Sequence, residues 1–240
     1  MKLRTICFDL DNTLVDRDAA CHRYWTLFIE RHAPAFQADG PQRALERLLI
    51  KDCHGWTGRR EFFTWVAATY PQLSQSPEQL WSDYWDELPR YITAYPGVPE
   101  LLAWLQSRFQ LALVSNGSSA LQRSKLARCG LDGYFSAVFI SGEIGVEKPD
   151  PEIFAQVARW SGDMPGEILF VGDDPARDIV GAHQAQFRTC WVTLEMAWQP
   201  DLPAPDWAVR VVTELPGLLG SIGIVSNNPT CIKDPIDHRL

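Results

Sequence analysis

The chain has 240 residues, of which 46% are hydrophobic and 22% are charged. This composition is typical of globular proteins and excludes a disordered, collagen-like or coiled-coil chain. Acidic residues outnumber basic ones by 30 to 22, and the formal net charge of −8 argues against binding to nucleic acid or to an anionic membrane surface. The length predicts one or two domains.

The cysteines and the apolar segments indicate the cellular compartment. The six cysteines are widely spaced and form no Cys-x-x-Cys pair, which argues against a zinc knuckle or a dense disulfide framework. The apolar run at the N-terminus is too short for a secretory signal. The longest uncharged stretch, Leu215–Ile232, is interrupted by prolines and glycines and is a poor membrane-spanning helix. We therefore expect a soluble, cytoplasmic protein.

Short apolar runs separated by helical patterns predict an α/β fold with a Rossmann-like parallel sheet. The segment between the first two runs differs, since it contains helical patterns alone and reads as an α-helical insertion. We predict a core formed by residues 1–14 and 96–240 and an inserted helical domain formed by residues 15–95. The predicted strands are Thr5–Asp9, Leu111–Ser115, Ala137–Ile140, Ile168–Gly172 and Thr189–Thr193, with a further candidate at Ala208–Val212. The predicted helices of the insertion are Ala20–Arg31, Arg43–Leu49, Arg60–Tyr70 and Glu78–Leu88, and those of the core include Leu121–Leu131, Glu152–Trp160 and Ile179–Gln186.

Two carboxylates stand where the first predicted strand ends. Asp9 and Asp11 are two residues apart, so on an extended chain both side chains project to the same side. Ligands of open α/β folds bind at this carboxyl edge of the sheet. Adjacent carboxylates repel each other, and a cation or a shared proton stabilises them. The alternative is a turn in which Asp11 and Asn12 bond only to local backbone.

Two further polar groups follow later strands. Ser115-Asn116-Gly117 closes the second strand and offers a hydroxyl and backbone amides suited to a phosphate, although the same triplet is common in ordinary turns. Lys148 precedes Pro149 and a helix start that Asp150 can cap, so it can act as a fixed countercharge instead of a solvated surface cation.

Three carboxylates follow the strand Ile168–Gly172. Asp174 precedes Pro175 and is suited to capping the next helix, whereas Asp173 lies at the strand tip and Asp178 can lean back from the first helical turn. Which of Asp174 and Asp178 joins Asp173 in the site stays open. Oxygen ligands from Asp9, Asp173 and one of these carboxylates predict a magnesium site, and the lack of cysteine or histidine ligands disfavours zinc.

Together these motifs resemble the haloacid dehalogenase superfamily of aspartyl phosphotransferases. The resemblance rests on four stretches and covers about residues 1–220, with the helical insertion resembling the cap of the subfamily that has a helical lid. The four stretches are Asp9-Leu10-Asp11-Asn12-Thr13, Ser115-Asn116-Gly117, Lys148-Pro149 and Gly172-Asp173-Asp174 through Asp178.

The resemblance implies a magnesium-dependent phosphate monoester hydrolase that forms an aspartyl phosphate. Asp9 would attack phosphorus, and Asp11 would protonate the leaving oxygen and later deprotonate the attacking water. The substrate would be a small phosphorylated metabolite, a nucleotide or a sugar phosphate. The implied catalytic residues are Asp9, Asp11, Ser115 and Lys148; the phosphate-binding residues are Ser115, Asn116, Gly117 and Lys148; the Mg²⁺ ligands are Asp9, the Asp11 backbone carbonyl, Asp173 and Asp178.

Two alternatives use the same fold. A 2-haloacid dehalogenase does not need the second acid, so the presence of Asp11 argues against it. A sugar-phosphate mutase would share the core chemistry, and the sequence does not separate it from a hydrolase. The residues around Lys148 resemble the branch that contains pyrimidine nucleotidases and acylneuraminate phosphatases. This stretch belongs to the core, however, and substrate selectivity would come mainly from the helical insertion.

Two other features concern the insertion and one helix end. The stretch His54–Arg60 is a candidate substrate-facing loop, because its glycines give mobility and its arginines can bind anions; its alternative is a solvated turn. The family usually has glycine where this chain has Gln186. Since a left-handed non-glycine residue costs about 1 kcal/mol, we expect the preceding helix to end differently.

Overall fold

A computed structural model describes residues 2–225, and a parallel six-stranded sheet forms the centre of this part of the chain. The strand order is β3-β2-β1-β4-β5-β6, so the N-terminal strand lies between the second and fourth strands. The predicted α/β class with a Rossmann-like sheet is confirmed. The strands are β1 (Thr5–Phe8), β2 (Gln110–Ser115), β3 (Ala137–Ile140), β4 (Ile168–Gly172), β5 (Arg188–Val192) and β6 (Trp207–Val209).

Helices cover both faces of the sheet. Successive residues of β1 alternate between two hydrophobic clusters, since Cys7 packs with one cluster and Ile6 and Phe8 pack with the other. Burial on both faces explains why the strands are continuous apolar runs. The helices are α1 (Arg17–Arg31), α2 (Pro41–Asp52), α3 (Arg59–Thr69), α4 (Pro77–Glu87), α5 (Val98–Gln106), α6 (Ser119–Arg128), α7 (Ser141–Ile144), α8 (Pro151–Ser161), α9 (Gly181–Gln184) and α10 (Leu215–Ser221).

Three local predictions need correction. The last strand ends at Val209 and is shorter than the predicted Ala208–Val212. The predicted helix Ile179–Gln186 is divided, because a π-helical turn occupies Pro175–Val180 and α9 covers Gly181–Gln184. Gln186 adopts the left-handed conformation with φ of 62°, so the expectation of a different helix end is wrong. Its amide donates to the carbonyl of His183, and this hydrogen bond offsets part of the conformational cost.

The helices α1 to α4 lie in the chain between β1 and β2, and the two segments that join them to the sheet run side by side. Val15 forms an antiparallel bridge with Ala94. The amide of Asp16 donates to the carbonyl of Thr93 at 2.9 Å, and the amide of Tyr95 donates to the carbonyl of Leu14 at 3.0 Å. We refer to residues 15–95 as the helical insertion; its division from the core as a separate domain stays a prediction.

The C-terminal stretch, the cysteines and the apolar segments were also considered in the sequence. The polar C-terminal stretch 226–240, with Cys231, lies outside the described residues. The five cysteines that fall inside residues 2–225 are all free thiols. Within the same range, no helix combines the length and the apolar character that a membrane-spanning helix requires.

Candidate active site

Three neighbouring strands end at one edge of the sheet and bring the motif residues together. Asp9 follows β1, Ser115 ends β2 and Asp173 follows β4. Because β1 lies between β2 and β4, the carboxyl ends of these strands meet at the point where parallel sheets bind ligands. A cavity of about 360 Å³ lies above this edge, with Asp9, Ser115 and Asp173 among its lining residues.

Asp9, Asp173 and Asp178 form a buried acidic cluster. Each residue offers a carboxylate oxygen, and these oxygens lie within 4.8 Å of one another. The backbone holds Asp178 close to β4, since the amide of Asp174 donates to its Oδ2 at 3.1 Å. Asp174 accepts from the amides of Ala176 and Arg177, both at 2.9 Å, so its predicted role as a helix cap is confirmed.

Lys148 reaches this cluster from the loop before α8. Its Nζ lies 2.7 Å from Oδ1 of Asp9 and 2.6 Å from Oδ1 of Asp178, and its side chain is 2% exposed. Burial alone lowers the pKa of Lys148, but the charges of Asp178 and Asp9 outweigh this effect and raise the pKa above its ordinary value. Lys148 is therefore a fixed ammonium group beside the nucleophile candidate.

The acidic cluster carries more negative charge than Lys148 balances. Burial raises the pKa of Asp9 and Asp173 above the ordinary range. The negative charge of Asp9 adds to the effect on Asp173, and that of Asp11 adds to the effect on Asp9. Burial also raises the pKa of Asp178 to about 7, although Lys148 opposes the shift. Oxygen ligands this close together, buried and short of positive charge, fit a hard divalent cation.

Asp11 lines the same cavity as the cluster and contacts α6. Its two carboxylate oxygens accept from Nζ of Lys125 at 2.7 and 2.6 Å, and Oδ2 also accepts from Nε2 of Gln122 at 3.1 Å. Although burial opposes it, the charge of Lys125 holds the pKa of Asp11 below its ordinary value. Gln122 also donates to Oγ of Ser115 at 2.6 Å, so one amide connects the second acid to the predicted phosphate-binding hydroxyl.

The other members of the Ser115-Asn116-Gly117 motif bind within the protein. The Asn116 amide group donates to the carbonyl of Lys148 at 2.9 Å, and its Oδ1 accepts from the amide of Lys148 at 2.8 Å. The amide of Gly117 donates to Oγ of Ser141 at 2.9 Å. Asn116 thus fixes the backbone that carries the catalytic lysine candidate, and direct phosphate binding by Asn116 and Gly117 stays a prediction.

The loop between α2 and α3 lines the same cavity from the side of the helical insertion. His54, Gly55, Trp56, Thr57 and Gly58 all border it, which agrees with the location predicted for a substrate-facing loop. The loop is connected to the core, since the carbonyl of Trp56 accepts from Nη2 of Arg177 at 3.0 Å.

Charged residues beside this loop form a second cluster, which we call the arginine pair: Arg17 of α1 and Arg59 of α3, both bound to Asp52 of α2. Nη2 of Arg17 lies 2.7 Å from Oδ1 of Asp52 and its Nη1 contacts Oδ2, while Nη1 of Arg59 lies 2.9 Å from Oδ1. Although burial opposes it, Arg17 and Arg59 lower the pKa of Asp52 to about 2.

Sequence reasoning missed two groups of residues at this site. Arg17 stands in the charged triplet Asp16-Arg17-Asp18, and its partner Asp52 lies 35 positions away, which no local pattern reveals. Gln122 and Lys125 lie three residues apart and share one face of α6. Their position on a helix that follows the Ser115 motif was a usable signal, because polar residues on an inward helix face need partners.

Comparisons with known proteins agree with this arrangement. Residues 3–186 match the family model of haloacid dehalogenase-like hydrolases. The pyrimidine 5'-nucleotidase YjjG of Escherichia coli (strain K12) is 34% identical over 149 residues, which cover 62% of this chain and just under two thirds, 66%, of that protein. The N-acylneuraminate-9-phosphatase of Homo sapiens is 29% identical over 241 residues, which cover 92% of this chain and 95% of that protein.

Solved structures with the same fold include a HAD-hydrolase and a dehalogenase. The structure of YfnB from Bacillus subtilis bound to magnesium has a TM-score of 0.71 and 25% identity, covering 91% of this chain and 99% of that chain. An L-2-haloacid dehalogenase from Xanthobacter autotrophicus has a TM-score of 0.66 and 23% identity, covering 93% of this chain and all of that chain. At this identity the second likeness concerns the fold alone.

Proposed function

Because this chain belongs to the haloacid dehalogenase-like hydrolase family, we propose that it hydrolyses phosphate monoesters of small metabolites in a Mg²⁺-dependent reaction through an aspartyl phosphate. The predicted family and the predicted enzyme class, a phosphoric monoester hydrolase, are supported by the phosphatase and nucleotidase relatives. The observation that carries the proposal is the position of Asp9, whose carboxylate contacts Lys148 and lies within 4.8 Å of two further carboxylates.

The donor set fits magnesium. Asp9, Asp173 and Asp178 would hold the ion together with the backbone carbonyl of Asp11, since hard oxygen ligands suit Mg²⁺. When bound, the ion would neutralise negative charge on the cluster and on the phosphoryl oxygens of the ester. Lys148 supplies a second positive charge that is present with or without the metal.

The chain's own residues divide the chemistry between two carboxylates. Asp9 attacks phosphorus, forming a bond from its carboxylate oxygen while the bond to the ester oxygen breaks. Asp11, which must first take up a proton because Lys125 keeps its pKa low, donates that proton to the departing alkoxide. Asp11 then accepts a proton from water, the water oxygen bonds to phosphorus, and the bond between Asp9 and phosphorus breaks to release inorganic phosphate.

Lys148 and Ser115 would stabilise the phosphoryl group in transit. The ammonium of Lys148 lies beside Asp9, where charge collects on the equatorial oxygens of the group. The Ser115 hydroxyl accepts a hydrogen bond from Gln122, which leaves its proton available for a phosphoryl oxygen. These groups are held in place before substrate arrives, which is the condition for strong electrostatic stabilisation.

Asp11 favours phosphate chemistry over dehalogenation. A halide leaves as a stable anion and needs no proton, whereas an alkoxide does. The second acid is present and is held by Lys125 and Gln122. A mutase shares this chemistry and differs in what accepts the phosphoryl group.

A panel of phosphate esters tests the proposal. Purified protein is assayed for phosphate release with Mg²⁺ and with EDTA, alongside Asp9→Asn and Asp11→Asn. We expect release from at least one ester, dependence on Mg²⁺, and loss of turnover in both variants. Release that persists in EDTA or in Asp9→Asn would refute the assigned metal or nucleophile. Rearrangement of a sugar phosphate without phosphate release would identify a mutase, and halide release from 2-haloacids would identify a dehalogenase.

A further inference from the structure

The arginine pair places two guanidinium groups on one carboxylate. Asp52 is 1% exposed at its side chain and accepts hydrogen bonds from both Arg17 and Arg59. One carboxylate balances one guanidinium, so this trio carries an excess of one positive charge. Asp18 also contacts Arg17, at 3.2 Å, but it shares its charge with His54, with which it forms a second ion pair.

Arg59 supplies the hydrogen-bond donors that remain free. Within residues 2–225 its guanidinium donates a single hydrogen bond, to Asp52, although the group has five N–H donors. Its side chain is 29% exposed, whereas that of Arg17 is buried behind it. A guanidinium with unused parallel N–H groups is suited to bidentate binding of a carboxylate.

The loop beside the arginine pair passes close to both guanidinium groups. Gly55 has φ of 84°, and a Cβ atom at this position would lie 3.1 Å from Cζ of Arg17 and 3.1 Å from Nη2 of Arg59. Any larger residue would therefore press on both guanidinium groups. The loop passes close to them only because it carries no side chain here.

The arginine pair and the acidic cluster open into one cavity. Arg17 and Arg59 line it together with Asp9, Ser115 and Lys148, and its volume of about 360 Å³ is at the lower end of the range for small-molecule sites. The other charged groups along its wall have partners or are solvated: Arg177 binds Asp174 and the carbonyl of Trp56, and Glu147 is exposed. A compact ligand in this cavity can therefore contact both the arginine pair and the acidic cluster.

We propose that Arg59, supported by Arg17, binds a carboxylate on the alcohol portion of the phosphate ester, so that the preferred substrates are small phosphate monoesters that also carry a carboxylate. This inference rests on the proposed function and specifies its substrate class. A carboxylate brings one negative charge to a trio with one excess positive charge, and its planar shape matches the guanidinium. Arg59 is then a specificity-determining residue, and Arg17 positions it through Asp52.

Two esters that differ at one group test the proposal. 3-Phosphoglycerate carries a carboxylate where glycerol 3-phosphate carries a hydroxymethyl group. We expect kcat/KM of the unaltered enzyme to favour 3-phosphoglycerate by at least about tenfold, as the loss of one charged hydrogen-bonded pair implies. Arg59→Gln should reduce this ratio by about tenfold, mainly by raising KM for 3-phosphoglycerate, and Arg59→Lys should reduce it less.

The matched control is Arg60→Gln, because Arg60 is the exposed neighbour on α3 and does not line the cavity. This variant should keep the ratio of the unaltered enzyme. Equal use of the two esters by the unaltered enzyme, or an unchanged ratio in Arg59→Gln, would overturn the carboxylate site. Failure of the proposed phosphatase activity is distinguishable from failure of the carboxylate site, because then neither ester, nor p-nitrophenyl phosphate, would release phosphate.

Calorimetric binding of D-glycerate, which carries the carboxylate and no phosphate, tests the site without turnover. We expect weak binding to the unaltered protein that is lost in Arg59→Gln and kept in Arg60→Gln. Equal binding to all three proteins, or no binding to any of them, would contradict the assignment.

Discussion

Nζ of Lys125 lies 2.7 and 2.6 Å from the two carboxylate oxygens of Asp11. This contact joins α6 to the chain after β1 across 114 positions of sequence. It places a positive charge beside Asp11, the proposed general acid and base. Gln122 adds a neutral donor to the same carboxylate. The proposed second acid, Asp11, is therefore positioned by the helix that follows β2, the strand that ends at Ser115.

We expect Lys125→Met to lower kcat by at least about tenfold, because Asp11 loses the charge that holds it in place and general acid–base catalysis contributes about 10²–10⁴ to such reactions. Lys125→Arg should restore part of the rate. Steady-state kinetics on the best ester measures both, with Arg123→Met as a control, since Arg123 lies on the exposed side of the same helix. A kcat within twofold of the unaltered enzyme in Lys125→Met would show that Asp11 needs no such support.

Gly172→Ala should weaken Mg²⁺ dependence. A Cβ atom at this position would lie 2.3 Å from Oδ2 of Asp178, so the carboxylate must leave its present position beside Asp9 and Asp173. We expect the Mg²⁺ concentration for half-maximal activity to rise about tenfold or more, the range seen when groups that orient metal ligands are disturbed. Gly166→Ala is the matched control, because a Cβ atom there meets nothing within 4 Å. An unchanged Mg²⁺ requirement in Gly172→Ala would argue against Asp178 as a ligand.

Asp52→Ala should destabilise the fold by about 3–5 kcal/mol, the cost of leaving a buried charge without its partner. The charge left behind is Arg17, whose side chain is 3% exposed. Chemical denaturation measures the free energy of unfolding. Glu61→Ala, which breaks an exposed ion pair with Lys51, should cost less than about 1 kcal/mol. Similar losses in the two variants would mean that the buried pair contributes no more than a surface one.

The pairing of His54 with Asp18 predicts a pH effect within the helical insertion. The hydrogen bond that Nδ1 of His54 donates to the carboxylate of Asp18 raises the pKa of His54 above its ordinary value. The protonated pair is therefore fully formed below pH about 6.5, and its contribution is lost as the pH rises through the pKa of His54 in the folded protein. NMR titration of the imidazole measures this pKa directly. Asp18→Asn should bring it down, and a pKa that stays unchanged in this variant would exclude Asp18 as the cause.

The sequence predicts the fold and the acidic cluster well because both depend on local patterns. Apolar runs end in acidic residues, and parallel strands place their carboxyl ends at one edge, so Asp9 and Asp173 could be expected to meet. The polar face of α6 indicates that Gln122 and Lys125 need partners, but it does not identify Asp11 as that partner. The pairing of Asp52 with Arg17 joins elements distant in sequence and depends on how helices pack, which neither periodicity nor spacing encodes. The left-handed Gln186 shows a related limit, since a conformational cost of about 1 kcal/mol is small beside the packing of a whole helix.

The bridge between Val15 and Ala94 has a consequence for how such a protein can diversify. The chain leaves the sheet and returns to it through two segments that are hydrogen-bonded to each other, so the distance to be closed does not depend on what lies between them. A longer or shorter set of helices can be exchanged at these two junctions while β1 and β2 keep their register. The helical insertion and the sheet that carries the proposed phosphoryl chemistry can therefore evolve at separate rates within one gene.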